Sequence, residues 1–237
     1  MHVVAIRYPQ TVNEVRIIDD VHRLRARIFQ GRLAWKVHCV RGREYDEFDD
    51  LSPTHIIALS TSMDVVGCAR LLPAVGPTML SVVFPQLLSG QCLHAHEAMV
   101  ESSRFCIDTT VQDRGGHVLH EATLSMFAGI IEWSILNGYS EIVTATDLRF
   151  ERILRRAGWP LKRLGDPAWI GETHSIAGRL DADWATFRCV RPPGYTSDFG
   201  ELNVAPSPAV RMKSPLNDGS IHVAGTRICI TRDSERP

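Results

Sequence analysis

The sequence contains no apolar run that approaches the roughly 20 residues of a membrane-spanning helix. The apolar stretch at residues 3–6 is also too short for a secretory signal. Positive charge is not in excess, since 26 Lys and Arg residues face 27 Asp and Glu residues and give a formal net charge of −1. Nucleic-acid-binding domains are usually strongly basic. We therefore expect neither a membrane nor a nucleic acid as a partner.

No Cys-X-X-Cys pair occurs among the six cysteines, several of which lie in apolar, strand-like runs. Cysteines of this kind are typical of small reduced core residues. His94 and His96 come nearest to a metal motif, but no further ligands follow them at a known spacing. The sequence therefore predicts a cytoplasmic protein that needs no metal and no other resident cofactor.

Hydrophobic periodicity gives one helix near the start, hairpin-like strands in the first half, and alternating strands and helices in the second half. The predicted helices cover residues 11–29, 117–137 and 147–157, and the predicted strands cover residues 37–40, 55–61, 65–72, 98–107, 141–146, 159–164 and 175–180. This order predicts an α/β fold in which one mixed twisted sheet carries helices on both faces.

Periodicity fades after Pro192-Pro193-Gly194. Proline and polar residues follow, as is typical of chain ends that pack loosely. We therefore expect one domain over residues 1–195 and a loosely ordered C-terminal extension over residues 196–237.

The strand over residues 98–107 carries charged side chains in apolar company. Strict alternation places Arg104 on one face with Val100, Ser102 and Cys106, and it places Glu101 on the other face with Ser103 and Phe105. Charged side chains are rarely buried without a partner. These residues therefore indicate a ligand site or a buried ionic network, unless the strand lies at a sheet edge where both charges reach water.

Three further groups of charged residues need an explanation. Arg25 and Arg70 lie within apolar segments, and residues 41–53 form an acidic run that also contains aromatic residues. In the predicted helix over residues 147–157, Arg149, Arg152 and Arg156 share one face, and Lys162 follows the helix. This basic face is either a solvated helix end favoured by the helix dipole or a docking site for an acidic partner.

Taken in order, these residues resemble the acyl-homoserine-lactone synthases, the autoinducer synthases of bacterial quorum sensing. The resemblance covers about residues 20 to 180 and rests on Arg25, Phe29, Trp35, Asp46, Asp49, Arg70, Phe84 and the segment Glu101-Ser102-Ser103-Arg104-Phe105. It implies a GNAT-like fold, similar to that of acyl-CoA N-acyltransferases. The resemblance therefore agrees with the mixed α/β sheet expected from periodicity.

The resemblance also implies a two-step reaction. An acyl group would pass from acyl carrier protein to the amine of S-adenosyl-L-methionine, which is a substrate and not a cofactor. The methionine carboxylate would then close onto its own side chain, releasing methylthioadenosine and the acyl-homoserine lactone. The expected partners are therefore acyl carrier protein and S-adenosylmethionine.

Roles for individual residues follow from the resemblance. Glu101 would accept the amine proton through water, with Arg104 and Ser103 beside it in the catalytic group. The residues expected to bind S-adenosylmethionine are Arg25, Phe29, Trp35, Asp46, Asp49, Arg70 and Phe105. Whether a given arginine holds the substrate carboxylate or pairs with the acids is left open.

The acyl group would occupy a pocket that includes Phe84 and Thr146. The Thr146 hydroxyl would donate to a 3-oxo group, which predicts a medium-chain 3-oxoacyl substrate, and we interpret Thr144 as facing the opposite side of the strand. The carrier protein would dock on Arg149, Arg152, Arg156 and Lys162.

Two other functions remain open at this point. A GNAT-type N-acyltransferase that uses acyl-coenzyme A would usually carry a fuller glycine-rich loop than Asp113-Arg114-Gly115-Gly116. A non-catalytic ligand-binding regulator on the same fold would have no use for a positioned base such as Glu101. Turnover with purified acyl carrier protein distinguishes these alternatives.

Overall fold

The computed structural model describes residues 1–33, 35–108 and 117–199, and only the backbone of residues 117–120. The loop with Gly115 and Gly116 lies outside the described residues, as does nearly all of the predicted C-terminal extension. The described elements in chain order are β1 (His2–Ile6), α1 (Val12–Arg25), β2 (Cys39–Val40), β3 (Arg43–Glu44), β4 (Thr54–Leu59), β5 (Val65–Pro73), β6 (Met99–Ile107), α2 (His117–Leu136), β7 (Glu141–Asp147), α3 (Leu148–Arg156), β8 (Lys162–Arg163), β9 (Ala168–Ile170), β10 (Thr173–Asp181), α4 (Trp184–Val190) and β11 (Thr196–Ser197).

The main sheet has the strand order β11-β1-β4-β5-β6-β7-β10-β8, with β9 paired to β10. Its strands are antiparallel except for the parallel pairs β1–β11 and β6–β7. Helix α1 packs on one face through Ile17, Val21 and Leu24, while α2 and α4 cover the opposite face. The predicted mixed α/β sheet with helices on both faces is confirmed.

The parallel pair β6–β7 is hydrogen-bonded only where both strands begin. Its register runs from Met99 opposite Glu141 to Glu101 opposite Val143, and no later pair joins the two strands within the described residues. Beyond Glu101, β6 continues beside β5, and β7 continues beside β10. A wedge therefore opens between the two central strands, at the strand ends where α/β proteins usually bind ligands.

Strand β6 does not alternate as predicted. Between Arg70 opposite Ser103 and Cys68 opposite Cys106, β6 contains one more residue than β5. Arg104 occupies this β-bulge with a φ of 53°, a left-handed conformation that costs a non-glycine residue roughly 1–3 kcal/mol. The bulge turns Arg104 onto the face that carries Glu101 and Ser103, so the predicted separation of Arg104 from these two residues is wrong.

The predicted helix over residues 11–29 consists of two parts. The Thr11 hydroxyl caps α1 by accepting a hydrogen bond from the Glu14 amide, and α1 ends at Arg25. A π-helical turn, Ala26–Arg32, continues from it. Such a turn keeps one apolar face toward the core, so hydrophobic periodicity alone does not distinguish it from an α-helix.

The acidic run at residues 41–53 is more structured than predicted. It contains strand β3 and the 3₁₀ turn Glu47–Leu51, whose first amides are capped by the Asp46 carboxylate. Helix α4 and strand β11 were absent from the sequence prediction. Since His2 pairs with Thr196, the sheet extends slightly beyond residue 195, and the domain boundary there remains a prediction.

Candidate active site

Three buried arginines on three different elements meet in one place. Arg25 ends α1, Arg70 lies in β5, and Arg104 occupies the β6 bulge. Facing them are Glu44 from β3 and two residues at the start of the 3₁₀ turn, Asp46 and Asp49. These six residues are called the charge cluster below.

Each arginine of the charge cluster has its own carboxylate partners. Arg25 donates to Glu44 (Nε···Oε2 2.5 Å) and, through both Nη atoms, to Asp49 at 2.8 and 2.9 Å. Arg70 donates to Asp46, to Asp49 (3.0 Å) and to the Ser103 hydroxyl (3.2 Å). Every donor nitrogen of these two guanidinium groups is therefore occupied by oxygen acceptors.

Arg104 is less completely paired. Its Nε donates to Glu44 at 3.0 Å, and its Nη2 lies 2.7 Å from Asp46. In the described part of the chain, its Nη1 reaches only the Met79 sulfur, at 3.4 Å, and thioether sulfur is a weak acceptor. Its side chain is 11% exposed, against 1% for Arg25 and 0% for Arg70. Arg104 is therefore the arginine of this cluster that can offer a donor to a ligand.

The electrostatics of the charge cluster follow from burial and pairing. Burial would raise the pKa of Asp49, but the hydrogen bonds and charge of Arg25, together with the charge of Arg70, hold it below its ordinary value. Burial lowers the pKa of Arg104, although Glu44 and Asp46 oppose this. Three positive and three negative groups compensate one another, so the cluster is close to neutral before Glu101 is counted.

Glu101 lies on the same face of β6 and is 1% exposed. Its carboxylate accepts hydrogen bonds from the backbone amides of Met79 (3.0 Å) and Leu80 (2.6 Å), and the Thr78 side chain also hydrogen-bonds to it. Burial raises the pKa of Glu101 despite these donors. Three donors leave about one of four carboxylate lone-pair positions free, so Glu101 both anchors the π-helical turn Met79–Val83 and keeps one acceptor position.

An aromatic column leads from the charge cluster toward the surface. The Arg104 guanidinium lies 5.5 Å from the centroid of the Phe29 ring. Phe29 also stacks on Trp35, with ring centroids 5.3 Å apart and an interplanar angle of 4°. Trp35 is 39% exposed, so a planar or cationic ligand can reach this column from solvent.

Phe105 lies on the other face of the sheet from Arg104. It contacts Phe127 and Phe150, at ring-centroid distances of 5.4 and 4.8 Å. The structure therefore does not bring it together with Phe29 and Trp35, with which the resemblance had grouped it, because the bulge at Arg104 reverses the alternation.

Behind the wedge, Phe105 lines a small apolar cavity of about 20 Å³. Its lining is Ser102, Phe105, Phe127, Ile130, Thr144, Phe150, Leu154, Trp159 and Leu180, called the apolar cleft below. Thr144 belongs to this lining, and Thr146 is two residues further along β7. Residues i and i+2 of a strand share a face, so the interpretation of Thr144 as facing the opposite side from Thr146 is wrong. Phe84 lies apart, beside Phe48 and Met79.

The four basic residues predicted to dock a partner lie at or just after α3. Arg149, Arg152 and Arg156 are exposed and have no ion-pair partner among the described residues. Lys162 is paired with Asp181 at 2.6 Å. Two basic neighbours, Arg163 and Arg155, share the single carboxylate of Glu151. The unpaired charge is therefore concentrated on the three predicted arginines of α3.

Sequence reasoning missed Glu44, which is 0% exposed and joins two arginines of the charge cluster. It was noted only as one acid within the acidic run. The one available signal was its place two residues before Asp46, since alternate residues of an extended segment point the same way.

His55 on β4 lies opposite Arg70 and is buried. Burial, reinforced by the positive charge of Arg25, lowers the pKa of His55 to about 3 from 6.5. The folded protein thus keeps His55 neutral at a pH where the unfolded chain takes up a proton. Stability is therefore lost as the pH falls below 6.5, and the loss continues toward the folded pKa near 3.

We expect His55 alone to lower the free energy of unfolding by about 1.4 kcal/mol between about pH 7.5 and about pH 5.5. His55→Gln should remove this part of the pH dependence in urea unfolding. His174→Gln is the control, because His174 stacks on the exposed Trp169, and it should keep the wild-type dependence. Equal pH dependence in wild type and His55→Gln would contradict the prediction.

No helix among the described residues is long and apolar enough to cross a membrane. No group of three or more His, Cys, Asp or Glu residues in the same ranges could hold a metal ion.

The geometry can be compared with known proteins. The family model for autoinducer synthases matches residues 10–190. A probable acyl-homoserine-lactone synthase from Sinorhizobium fredii is 57% identical over 200 residues, which are 84% of this chain and 96% of that protein. The crystal structure of the AHL synthase LasI superimposes with a TM-score of 0.70 at 29% identity, covering 79% of this chain and 93% of LasI.

Two solved structures that are more distant in sequence agree in fold. BjaI, a CoA-dependent acyl-homoserine lactone synthase solved with SAM and isopentyl-CoA, gives a TM-score of 0.72 at 24% identity, covering 83% of this chain and 92% of BjaI. A putative N-acetyltransferase from Lactobacillus plantarum gives 0.50 at 10% identity, covering 76% of this chain and 97% of that protein. The predicted GNAT-like fold is confirmed.

The family assignment rests on the extent of these matches. The family model spans most of the domain, and the Sinorhizobium relative is matched over nearly its whole length. The chain therefore belongs to the autoinducer synthase family, the acyl-homoserine-lactone synthases of quorum sensing.

Proposed function

We propose that this chain transfers a medium-chain 3-oxoacyl group from acyl carrier protein to the amine of S-adenosylmethionine, after which lactonisation releases methylthioadenosine. The observation that carries the proposal is the combination of the underpaired Arg104, the aromatic column and Glu101 around one wedge in the sheet. Each of these features fits a different part of S-adenosylmethionine.

Arg104 fits the substrate carboxylate. Each donor nitrogen of Arg25 and Arg70 has an oxygen acceptor, whereas Nη1 of Arg104 reaches, among the described residues, only the Met79 sulfur. A charge-assisted bond from an arginine to a carboxylate is short and strong. The roles left open by the sequence are thus divided: Arg25 and Arg70 hold the acids in place, and Arg104 binds the substrate.

Phe29 and Trp35 fit the cationic and planar parts of the same substrate. A sulfonium ion is attracted to aromatic faces, and an adenine ring stacks on them. Because the charge cluster is close to neutral, the negative charge of Glu101 on the same face of β6 also favours a cationic ligand.

Glu101 fits the role of general base. The amine must lose a proton before it attacks the thioester, and Glu101 keeps about one free lone-pair position, with a pKa raised by burial. Because Glu101 is 1% exposed, the proton would reach it through a bridging water. Ser103 helps to position the site through its bond to Arg70.

The apolar cleft fits the acyl chain. It lies next to the wedge, on the face of β6 opposite Glu101, and is lined mainly by aromatic and aliphatic side chains. Its volume of about 20 Å³ is too small for a medium-length chain, so the chain would have to displace side chains of the lining. Phe105 would contact the acyl chain, while Phe84 supports the turn that carries the Met79 and Leu80 amides.

The direct test is turnover by the purified protein with S-adenosylmethionine and either 3-oxoacyl carrier protein or the matching acyl-coenzyme A. Mass spectrometry should detect the 3-oxoacyl-homoserine lactone and methylthioadenosine in equal amounts, with the carrier protein as the better donor. Lactone formation from acyl-coenzyme A alone would overturn the choice of donor. Binding of S-adenosylmethionine without turnover would instead favour the regulator.

Docking of the carrier protein on α3 gives a separate prediction. Arg152→Glu with Arg156→Glu should raise the KM for the acyl carrier protein roughly 10-fold or more and weaken its salt dependence, because two unpaired positive charges become negative. The KM for S-adenosylmethionine should not change. Arg188→Glu, on the exposed side of α4, is the matched control and should leave both constants unchanged. A parallel rise in both constants for the double variant would count against docking.

Recognition of the 3-oxo group gives a further prediction. Thr146→Val should shift the preference from 3-oxoacyl toward unsubstituted acyl donors by about 10-fold, because a buried group left without its hydrogen-bond partner costs about 1–3 kcal/mol. Competition between the two donors measures this ratio. Thr144→Val is the same-face comparison, since Thr144 lines the apolar cleft. A larger shift for Thr144→Val would transfer the role to that residue.

The reaction would take place in the cytoplasm. This is supported by Cys39, Cys68, Cys106 and Cys189, which are free thiols. Two of them, Cys68 and Cys106, lie 3.4 Å apart without forming a disulfide bond. Such thiols persist in reducing compartments.

A further inference from the structure

His22 lies on α1, one helical turn before Arg25. Its Nδ1 lies 2.8 Å from the backbone carbonyl oxygen of Glu44. A carbonyl oxygen only accepts, so Nδ1 must carry the proton and donate it. Arg25 donates to the carboxylate of the same residue. Two residues of α1 therefore bind Glu44, His22 through its main chain and Arg25 through its side chain.

Glu44 needs this support because its own element is small. Strands β2 and β3 pair over only two residues each, Cys39 with Glu44 and Val40 with Arg43, and isolated two-stranded hairpins are marginally stable. The hydrogen bond from His22 ties this hairpin to a helix packed on the main sheet. The ring of His22 also contacts the rings of Tyr45 and His55, at centroid distances of 5.4 and 6.0 Å.

The position of Glu44 determines the orientation of Arg104. Glu44 Oε2 accepts from Arg25 and Oε1 accepts from Arg104 Nε at 3.0 Å. A displacement of the Glu44 main chain therefore shifts the acceptor that orients the Arg104 guanidinium.

We propose that His22 is a positioning residue, which fixes Glu44 and, through Glu44, aims Nη1 of Arg104 at the carboxylate of S-adenosylmethionine. The proposal rests on the proposed function of Arg104. His22 does not touch the substrate in this arrangement, so its loss should weaken binding of S-adenosylmethionine and leave the acyl donor unaffected.

The test compares three variants of the full chain. Isothermal titration calorimetry with S-adenosylmethionine measures the Kd, and steady-state kinetics measures the KM values. His22→Ala should raise the Kd and KM for S-adenosylmethionine roughly 3- to 10-fold, the effect of one lost hydrogen bond. His22→Asn places an amide N–H near the position of Nδ1 and should restore most of the affinity. His22→Gln places its N–H near Nε2, which faces away from Glu44, and should not. The KM for the acyl donor should stay constant throughout.

Arg23→Ala is the matched control, because Arg23 is the next residue of α1 and, among the described residues, pairs only with Asp19 at the surface. It should leave every constant unchanged. If His22→Ala does not fold, the proposal is tested by comparing the S-adenosylmethionine affinities of His22→Asn and His22→Gln. Equal affinities for these two variants, or an unchanged Kd in His22→Ala, would overturn the proposal. Failure of the proposed function would instead appear in wild type, as absence of lactone, and the titration would still report on His22.

Discussion

Glu101→Gln should lower the turnover number by about 100- to 10,000-fold, the range expected for loss of a general base. Gln keeps the size of the side chain and one oxygen acceptor, but it cannot take a proton from the amine. The Kd for S-adenosylmethionine should change far less than the turnover number. Single-turnover kinetics together with titration calorimetry measure both quantities on the same preparation.

Because Glu101 also anchors the turn Met79–Val83, a structural loss must be separated from a chemical one. In Glu101→Gln, the NH2 group of Gln points at one of the two backbone amides whose hydrogen bonds the carboxylate accepts. Two donors then face each other, which should lower the free energy of unfolding by about 1–3 kcal/mol. Ser81→Ala weakens the cap of the same turn, because the Ser81 hydroxyl bonds to the amide and the hydroxyl of Thr78, and it leaves Glu101 itself unchanged. Glu97→Gln removes an exposed carboxylate four residues earlier. Both controls should keep turnover within a few-fold of wild type. Comparable loss in Ser81→Ala would assign Glu101 a structural role only.

The fold could be predicted largely because its longer elements leave clear marks in the sequence. The strands β4, β5 and β7 are short, largely apolar runs bounded by polar segments, and α2 and α3 carry apolar residues at helical spacing. The structure confirms these elements within a few residues. Helix α4 and strand β11 were missed because they contain only seven and two residues. Elements of this length depend on contacts with residues distant in sequence, such as those of β11 with β1.

The site was harder to predict than the fold because one backbone feature decides its geometry. Arg104 adopts a left-handed conformation that sequence patterns associate with glycine. Counting residues along β6 therefore placed Arg104 on the wrong face and Phe105 on the face of Glu101 and Ser103. The arginines themselves could be identified, since a charge within an apolar strand requires a partner.

Glu44 shows the complementary limit. Its sequence neighbours include four other acids, and apart from the spacing to Asp46 nothing local shows that Glu44 is the fully buried one. Only the packing of the β2–β3 hairpin against α1 makes that distinction. The contribution of the buried Glu44 can be measured as a change in the free energy of unfolding.

Glu44→Gln should lower the free energy of unfolding by about 3–5 kcal/mol, the cost of breaking a buried ion pair from one side. Arg25 and Arg104 would each lose a charged acceptor and could not turn to water, since their side chains are 1% and 11% exposed. Denaturant unfolding measures the loss. The affinity for S-adenosylmethionine should fall with it, because Arg104 would no longer be oriented.

Glu151→Gln is the matched control for this prediction, because Glu151 is also buried and forms two hydrogen bonds with Arg163, at 2.7 and 2.8 Å. The two glutamates differ in the exposure of their arginine partners. Arg163 is 45% exposed, so it returns to water when its carboxylate is removed, and the loss should be roughly 1 kcal/mol or less. If Glu44→Gln costs no more than Glu151→Gln, then the charge cluster does not depend on Glu44 in the way that its burial implies.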